Sequence, residues 1–301
     1  MNPFVRPRPV EHPALRVIGF HHAGGSAAVY HPLIHQFPPE WDLLLLDLPG
    51  RGKRHAQTPV EDMNQLVARA VQDVRPWLGG QRQRDHDSSA PPEAEVRGSL
   101  KVPVALFGHS LGAILASEVG RAMQAAGTPP VWVGVSGRVP PDTPAGRRSL
   151  CELGDTALLA ELSAMGGMPD RFAELPEFRE RFLQLVRADL RAVDSYRPAS
   201  GRAPLACPLT VFGGTADTWA PPEMMAGWSR ETHGEFRQRY FPGGHFYFLG
   251  TAFAGFARSL VAEVTEVTEV GRLASAADRI PSRRSPRAGD GKANVVNTAA
   301  G

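Results

Sequence analysis

A serine that could act as a nucleophile lies in the segment 108–112 (GHSLG), which has the pattern G-x-S-x-G. An apolar segment, 102–107, precedes it, and a helical pattern follows it to residue 126. This context is typical of a sharp strand-to-helix turn that exposes the serine above a sheet. Side chains at positions 108 and 112 would collide in such a turn, which explains the two glycines. The sequence therefore predicts that Ser110 is a nucleophile at a helix N-terminus, where negative charge is favoured.

A serine hydroxyl is a weak nucleophile unless a base takes its proton, and His245 is the predicted base. It lies in the segment 241–248 (FPGGHFYF), directly after the last predicted strand, where the chain order serine, acid, histidine places it. His233 is the nearest rival, but it precedes that strand and so belongs to the opposite end of the sheet. The side chain of His109 is expected to point away from the reacting serine.

A carboxylate must orient this histidine and stabilise its charged form, and Asp217 is the predicted one. It follows the predicted strand 208–212 in a loop of small residues. Asp189 and Asp194 lie on a predicted helix and are expected to make surface pairs, and Glu223 suits a helix N-terminus. The alternative role for Asp217 is to form a turn.

Attack on a carbonyl group creates an oxyanion, which backbone N–H donors stabilise. The N–H of Leu111 is one predicted donor. The other comes from the turn after the first strand (HHAGG), where Ala23 is preferred over Gly24 and glycines let the backbone approach a substrate closely. His22 is expected to order this turn. Because adjacent residues rarely chelate one ion, His21 and His22 do not predict a metal site.

Apolar segments and helical patterns alternate along the chain and predict the scaffold for these residues. Runs that are apolar without alternation are typical of a parallel sheet covered on both faces. Strand–helix alternation gives right-handed crossovers, so the predicted fold is a doubly wound α/β fold. The predicted strands are 15–20, 42–48, 102–107, 131–136, 208–212 and 236–241, and the main helices are 27–37, 61–78, one that ends at 126, and 247–264.

Residues 138–203 contain no clear strand and interrupt this alternation. They hold two helical patterns, 155–165 and 176–196, the second apolar on one face and rich in arginine elsewhere. An insertion between two strands of such a sheet lies over their carboxyl ends, where ligands bind. The segment is therefore predicted to be a helical lid, with an ordinary helical crossover as the alternative.

The composition of the 301 residues, 42% of them hydrophobic, is enough for a real core. The body is close to neutral, which disfavours a nucleic-acid binder. Apolar runs stay below the ~18 residues of a membrane span, so we expect no membrane segment. No apolar signal segment is present and two cysteines make no disulfide framework, so we expect a cytoplasmic protein. The predicted units are an extension 1–14, a core 15–137 with a disordered insert 79–100, the lid 138–203, the rest of the core 204–270 and a disordered tail 271–301.

The chain resembles the type II thioesterases, the discrete editing hydrolases of polyketide synthases and nonribosomal peptide synthetases. The G-x-S-x-G turn alone indicates only the α/β-hydrolase fold, and further segments within about residues 15–260 make the resemblance specific. His21 departs from the family, which usually has proline there, and the insert and the tail are extra. The matching segments include 20–33 (FHHAGGSAAVYHPL), 47–54 (DLPGRGKR), 136–141 (SGRVPP), 166–169 (GGMP) and 185–196 (LVRADLRAVDSY).

The resemblance implies a triad of Ser110, Asp217 and His245 with oxyanion donors at Ala23 and Leu111, in agreement with the reasoning above. It also implies the substrates, which are acyl groups held as thioesters on the phosphopantetheine arm of an acyl or peptidyl carrier protein. No metal or organic cofactor is required.

The predicted lid adds expectations about the acyl group and the partner. Met165 and Met168, close in sequence to its apolar face, are predicted to line an adaptable acyl chamber. A carrier protein is typically acidic in these families, so a group of lid arginines is predicted to meet it, with Arg51 and Arg54 as the alternative docking site. The group consists of Arg179, Arg181, Arg187 and Arg191.

Two other functions are compatible with these residues. A carboxylesterase that acts on free small esters would use the same triad. A non-catalytic partner that docks on a synthase would keep only the shape of a hydrolase, and the intact Ser110, Asp217 and His245 argue against it.

Overall fold

Seven strands form one sheet in the computed structural model, which describes residues 2–78, 102–143, 149–168 and 176–277. Their spatial order is first, third, second, fourth, fifth, sixth, seventh, and every neighbouring pair is parallel except the first and third. This is the mostly parallel α/β sheet that the sequence predicts, so the fold class is confirmed. In chain order the strands are β1 (Phe4–Val5), β2 (Leu15–Phe20), β3 (Trp41–Leu46), β4 (Val104–His109), β5 (Trp132–Ser136), β6 (Leu209–Gly214) and β7 (Phe236–Phe241).

Both faces of the sheet are covered by apolar layers, because successive side chains of a strand point to opposite faces. On β2, Ile18 and Phe20 enter one buried layer, whereas Leu15 and Val17 enter the other. The first layer is covered by α1 (Met63–Val74), α2 (Leu111–Ala125) and α5 (Pro222–Met225), and the second by a 3₁₀ helix (Ala27–His35) and α6 (Phe253–Ala277).

The helical insertion predicted between two strands lies between β5 and β6. It contains α3 (Asp155–Met165) and α4 (Pro176–Ser195), which share a small apolar cluster separate from the two main layers. Tyr196, directly after α4, joins the first main layer and so fixes that end of the helix to the core. The buried members of the small cluster are Leu150, Leu158, Leu183 and Val186.

The two ends of the chain differ from the sequence prediction. Phe4–Val5 adds an antiparallel strand, which is too short for an apolar pattern to reveal. At the other end, α6 continues to Ala277, beyond its predicted end near residue 264 and into the predicted tail. The predicted disordered insert 79–100 and the tail from 278 lie outside the described residues. Of the helices in the described ranges, none combines the length and the apolar character of a membrane span.

Candidate active site

Ser110 occupies the sharp turn between β4 and α2. With φ of 54° and ψ of −111°, it is the one non-glycine residue with a positive φ in the described ranges. A Cβ at position 108 would lie 1.9 Å from the carbonyl oxygen of Gly112, and a Cβ at position 112 would lie 2.0 Å from that of Phe20. Glycine is therefore required at both positions, as the sequence predicts. Backbone strain of this kind costs about 1–3 kcal/mol, and the Ser110 N–H, 2.8 Å from the Ser136 carbonyl oxygen, helps to hold the turn.

His245 and Asp217 are joined by a hydrogen bond beyond the carboxyl ends of β7 and β6. Nδ1 of His245 lies 2.9 Å from Oδ2 of Asp217, and both side chains are buried. An ionised carboxylate can only accept, so Nδ1 carries the proton and Nε2 keeps its lone pair. The structure thus brings together the two residues that the sequence predicts as base and acid. His233 precedes β7 and lies at the other end of that strand.

The second carboxylate oxygen of Asp217 forms the local turn. Oδ1 accepts the N–H groups of Trp219 at 2.7 Å and Ala220 at 3.0 Å. Burial raises the pKa of the Asp217 carboxyl, but the hydrogen bond and charge of His245, with these two N–H groups, outweigh it and hold the pKa below its usual value. Turn formation is therefore not an alternative to orienting the histidine, because the same carboxylate does both.

His109 contacts the predicted base, which the sequence reasoning missed. Its ring centroid lies 4.7 Å from that of His245 and 5.3 Å from that of Phe246, so the side chain does not point away from the site. Its Nδ1 is 2.8 Å from the hydroxyl of Ser136, which in turn lies 2.7 Å from the hydroxyl of Tyr247. Burial, and secondly the neighbouring histidines, hold the pKa of His109 well below its usual value. A neutral ring therefore supports one side of His245.

The turn after β2 is held by two buried histidines. His21 donates from Nδ1 to the His22 carbonyl oxygen at 2.8 Å, and its Nε2 accepts the Leu48 N–H at 3.4 Å. The same His22 carbonyl accepts the Gly25 N–H at 3.0 Å. His22 donates from Nδ1 to the Ala23 carbonyl oxygen at 2.9 Å, which fits its predicted role in ordering the turn. Burial holds the pKa of His21 well below its usual value and lowers that of His22 to about 4.

The N–H groups of the two predicted oxyanion donors are free of the kind of acceptor that the Gly24 N–H has among the described residues. The Gly24 N–H donates to Oδ2 of Asp189 at 2.7 Å and is therefore already committed. Within the part of the chain that the structure describes, the Ala23 N–H has no acceptor. Leu111 is the first residue of α2, where an N–H has no intrahelical acceptor. These contacts leave Ala23 and Leu111 available for an oxyanion and exclude Gly24.

Asp189 lies in the interior, and the expectation that it makes a surface pair is wrong. Its side chain is 1% exposed, and Arg51 binds both of its oxygens, at 2.5 and 2.8 Å. The reason is that α4 packs directly on the turn after β2, where a Cβ at position 24 would lie 3.1 Å from Val186. Asp194, by contrast, is exposed and accepts a hydrogen bond from Ser149, as expected of a surface residue.

Most of the arginines predicted to meet a partner are bound within the chain. Arg51 is buried against Asp189, and Arg54 is buried against Asp73, so these two do not form a docking surface. Three of the four lid arginines also have internal partners. Arg181 donates to the Gly50 and His55 carbonyls, Arg187 to the Cys151 carbonyl and Asp155, and Arg191 to Glu61.

The lid reaches the loop of the predicted base near the two predicted chamber residues. Met165 packs against the apolar cluster of the lid, and Met168 is half-buried. Between them, Gly167 lies so close to Phe246 that a Cβ there would be 2.2 Å from the ring. No group of three or more potential metal ligands occurs among the residues described.

The sequence matches the thioesterase domain family over residues 16–79 and 94–261. It is 33% identical over 242 residues to the thioesterase PikA5 of Streptomyces venezuelae, across 79% of this chain and 77% of that protein. It is 29% identical over 234 residues to the gramicidin S biosynthesis protein GrsT of Aneurinibacillus migulanus, across 77% of this chain and 82% of that protein.

Solved structures share the fold. The RedJ thioesterase of the prodiginine pathway in Streptomyces coelicolor is 32% identical, with a TM-score of 0.70 over 83% of this chain and 91% of that one. The type II thioesterase BorB of the borrelidin cluster is 31% identical, with a TM-score of 0.71 over 88% of this chain and 96% of that one. The α/β-hydrolase fold and the resemblance to type II thioesterases are thereby confirmed. The chain belongs to the thioesterase domain family and is a thioester hydrolase.

Proposed function

We propose that this enzyme hydrolyses acyl thioesters on the phosphopantetheine arm of acyl or peptidyl carrier proteins and so clears stalled or aberrant acyl groups from a polyketide or nonribosomal peptide synthase. The observation that carries the proposal is the buried His245–Asp217 hydrogen bond at the sheet edge where Ser110 occupies its strained turn. The names of the similar proteins support this biosynthetic setting. Both cysteines, Cys151 and Cys207, are free thiols, which suits the reducing cytoplasm as its site of action.

In the first half-reaction, the Ser110 hydroxyl oxygen attacks the thioester carbonyl carbon while Nε2 of His245 takes the hydroxyl proton. Asp217 holds the imidazole in the required tautomer and stabilises its positive charge. The carbonyl electron pair moves onto oxygen, where the N–H groups of Ala23 and Leu111 stabilise the oxyanion.

Collapse of this intermediate re-forms the carbonyl group and breaks the carbon–sulfur bond. His245 returns its proton to the departing thiolate, which leaves readily because a thiol pKa is only about 8.5. Water then attacks the carbonyl carbon of the acyl-Ser110 ester while His245 takes a proton from it. The bond between the acyl carbon and the Ser110 oxygen breaks, His245 returns the proton to that oxygen, and the free acid departs. Because an ester of serine lacks such a good leaving group, we expect this deacylation to limit turnover.

The lid supplies the acyl chamber in this proposal. Met165 and Met168 flank Gly167, which contacts Phe246 next to the proposed base. Unbranched thioether side chains adapt to groups of different shape. A chamber of this kind suits an editing enzyme that meets many acyl groups.

The experiment presents one acyl group in three forms, on a carrier protein, on free pantetheine and as a p-nitrophenyl ester. We expect kcat/KM to be highest for the carrier protein and higher for the pantetheine thioester than for the oxygen ester, with Ser110→Ala as the inactive control. A preference for the oxygen ester would identify a carboxylesterase instead. The absence of both turnover and fluorophosphonate labelling would identify a non-catalytic partner.

A further inference from the structure

One buried carboxylate connects the lid helix to the turn that carries the proposed oxyanion donor. Asp189 on α4 accepts the Gly24 N–H at 2.7 Å and is bound by Arg51 at 2.5 and 2.8 Å. We infer that Asp189 is a positioning residue, which aligns the Ala23 N–H and thereby makes the chemical step depend on how α4 is seated. The inference rests on the proposed function, in which the Ala23 N–H stabilises the oxyanion.

The backbone of this turn shows how such positioning works. The peptide between His22 and Ala23 carries the donor N–H, and its carbonyl oxygen accepts two bonds from within the turn, from His21 and Gly25. The next peptide, between Ala23 and Gly24, is held at its carbonyl end by the His22 ring. In a trans peptide the N–H points opposite to the carbonyl group, so holding one end directs the other.

Asp189 anchors this pair of peptides from outside the turn. The bonds to the two carbonyl oxygens of this pair, from His21, His22 and Gly25, are local and would move with the two peptides. The flanks of the turn have longer bonds to the outside, both of 3.4 Å, from the Leu48 N–H to His21 and from Arg51 to the Gly25 carbonyl oxygen. The bond from the Gly24 N–H ties the turn to a helix 165 positions further along the chain. The position of the Ala23 N–H relative to Ser110 therefore depends on this anchor.

Apolar packing and charge both hold the anchor in place. A Cβ at position 24, where φ is +73°, would lie 3.1 Å from Val186 and 3.2 Å from Phe182, so α4 rests directly on the turn. A buried carboxylate needs a charged or hydrogen-bonding partner. Arg51 is that partner, and it is fixed in turn by the Pro49 carbonyl oxygen at 3.1 Å.

Lifting α4 would break these contacts together. Asp189 would leave Arg51 and Gly24 in the same movement, because one side chain makes both bonds. The two peptides on either side of Ala23 would then lose the bond that ties them to α4, and the Ala23 N–H would lose its alignment. The chemical step is therefore fastest when the lid helix is seated, and a substrate that props the lid open is hydrolysed more slowly.

The test compares Asp189→Asn with Asp194→Asn, a change of the same type on the same helix at an exposed carboxylate. Acyl-pantetheine supplies kcat and KM. Two acyl analogues supply inhibition constants: a trifluoromethyl ketone, which forms a tetrahedral oxyanion adduct with Ser110, and a thioether, which cannot. For Asp189→Asn we expect kcat to fall about 10- to 100-fold, less than or comparable to the loss of one oxyanion donor. In the same variant, the affinity for the trifluoromethyl ketone should fall in parallel with kcat, while KM and the affinity for the thioether change less than about twofold. In the Asp194→Asn control, all of these quantities should change less than about twofold.

Arg51→Lys is the second variant and carries the test if Asp189→Asn does not fold. It keeps a buried positive charge beside Asp189 but loses the two-pronged guanidinium contact, so we expect a several-fold loss of kcat with the same parallel loss of ketone affinity. An unchanged kcat in a folded variant overturns the inference, as does an equal loss of affinity for both analogues, which indicates a damaged pocket. If the wild-type enzyme neither hydrolyses thioesters nor binds the ketone, the proposed function itself fails.

Discussion

The two halves of the proposed site are held in different ways. Ser110, Asp217 and His245 each lie in the turn or loop that follows a strand. The hydrogen bonds of the sheet continue into these loops, as in the 2.8 Å bonds from Ser110 N–H to Ser136 and from Ala216 N–H to Gly243. The turn with Ala23 is instead held from outside by a charged pair that belongs to the lid helix and a loop. The nucleophile and base are thus fixed by sheet topology, whereas one oxyanion donor depends on a helix inserted into the fold.

The largest expected effect is in the half that the sheet holds. Ser110→Ala removes the proposed nucleophile, so we expect kcat on acyl-pantetheine to fall by about 10⁴-fold or more, because the loss of one triad member disables the whole step. Ser117→Ala is the matched control, since this buried serine of α2 donates to the carbonyl of Ile114 in the preceding turn of its own helix. Comparable rates for Ser110→Ala and the wild type would remove Ser110 from the mechanism.

Asp217→Asn tests whether the acid acts through the histidine or through the turn. Asn Oδ1 can still accept the N–H groups of Trp219 and Ala220, so the loop and the thermal midpoint should be kept. The amide group then faces Nδ1 of His245 and forces the wrong tautomer, for which we expect a loss of about 10⁴-fold in kcat. Glu223→Gln serves as the control. A rate near that of the wild type would mean that another group orients the histidine.

Acid should destabilise both halves through their buried histidines. Burial depresses the pKa values of His21, His22 and His109 in the folded state, that of His22 to about 4. The unfolded chain therefore binds more protons than the folded one below about pH 6.5, so stability is complete above that pH and is lost as the pH falls. We expect the free energy of unfolding to fall by up to about 1.4 kcal/mol per pH unit for each histidine.

Denaturant titrations at pH 7, 6 and 5 measure this slope. His109→Gln should reduce the slope by the contribution of about one proton taken up on unfolding, whatever the effect of the substitution on absolute stability. His12→Gln, at a histidine whose side chain is 87% exposed, is the control variant. An unchanged slope in the His109 variant would show that folding does not depress the pKa of this ring.

The smallest expected effect is on the outer surface of the lid. Arg179 and Arg191 are exposed, and Arg191 pairs with an equally exposed Glu61, a contact of little energetic value. Reversing both to glutamate should lower kcat/KM for an acyl-carrier protein a few-fold at low salt, since rim charges act mainly on association. Hydrolysis of free acyl-pantetheine should not change. Loss on both substrates would indicate a damaged lid, and loss on neither would place the partner elsewhere.

The comparison between the two halves also explains what could be predicted from the sequence. Strand ends and local motifs identify Ser110, Asp217 and His245, because each lies in the turn or loop that follows a predicted strand. Asp189 could not be recognised in this way. Helical spacing shows which face of α4 is buried, but not that a carboxylate on that face meets an arginine 138 positions earlier.

His109 escaped prediction for a related reason. Its position in the G-x-S-x-G pattern says where its backbone lies, and its side chain follows the β4 register into the layer beneath His245. Contacts between rings from different loops depend on how the loops pack and leave no periodic pattern. The boundaries of strands are easier to predict than those of helices, since β3 (Trp41–Leu46) differs from its predicted range of 42–48 by only one or two residues, whereas α6 ends at Ala277 and not near 264.

The short strand β1 has a consequence for the behaviour of the whole chain in solution. It pairs with Leu45 and Leu46 of β3, and its Phe4 carbonyl oxygen accepts the Lys53 ammonium group at 2.7 Å. Behind it, β3 (WDLLLL) is buried at every position. An uncovered, strongly apolar edge strand is a template for pairing with other molecules. Phe4 and Val5 therefore cover this edge of the sheet and oppose aggregation of the chain. Removal of these two residues should be detected first as turbidity of the solution.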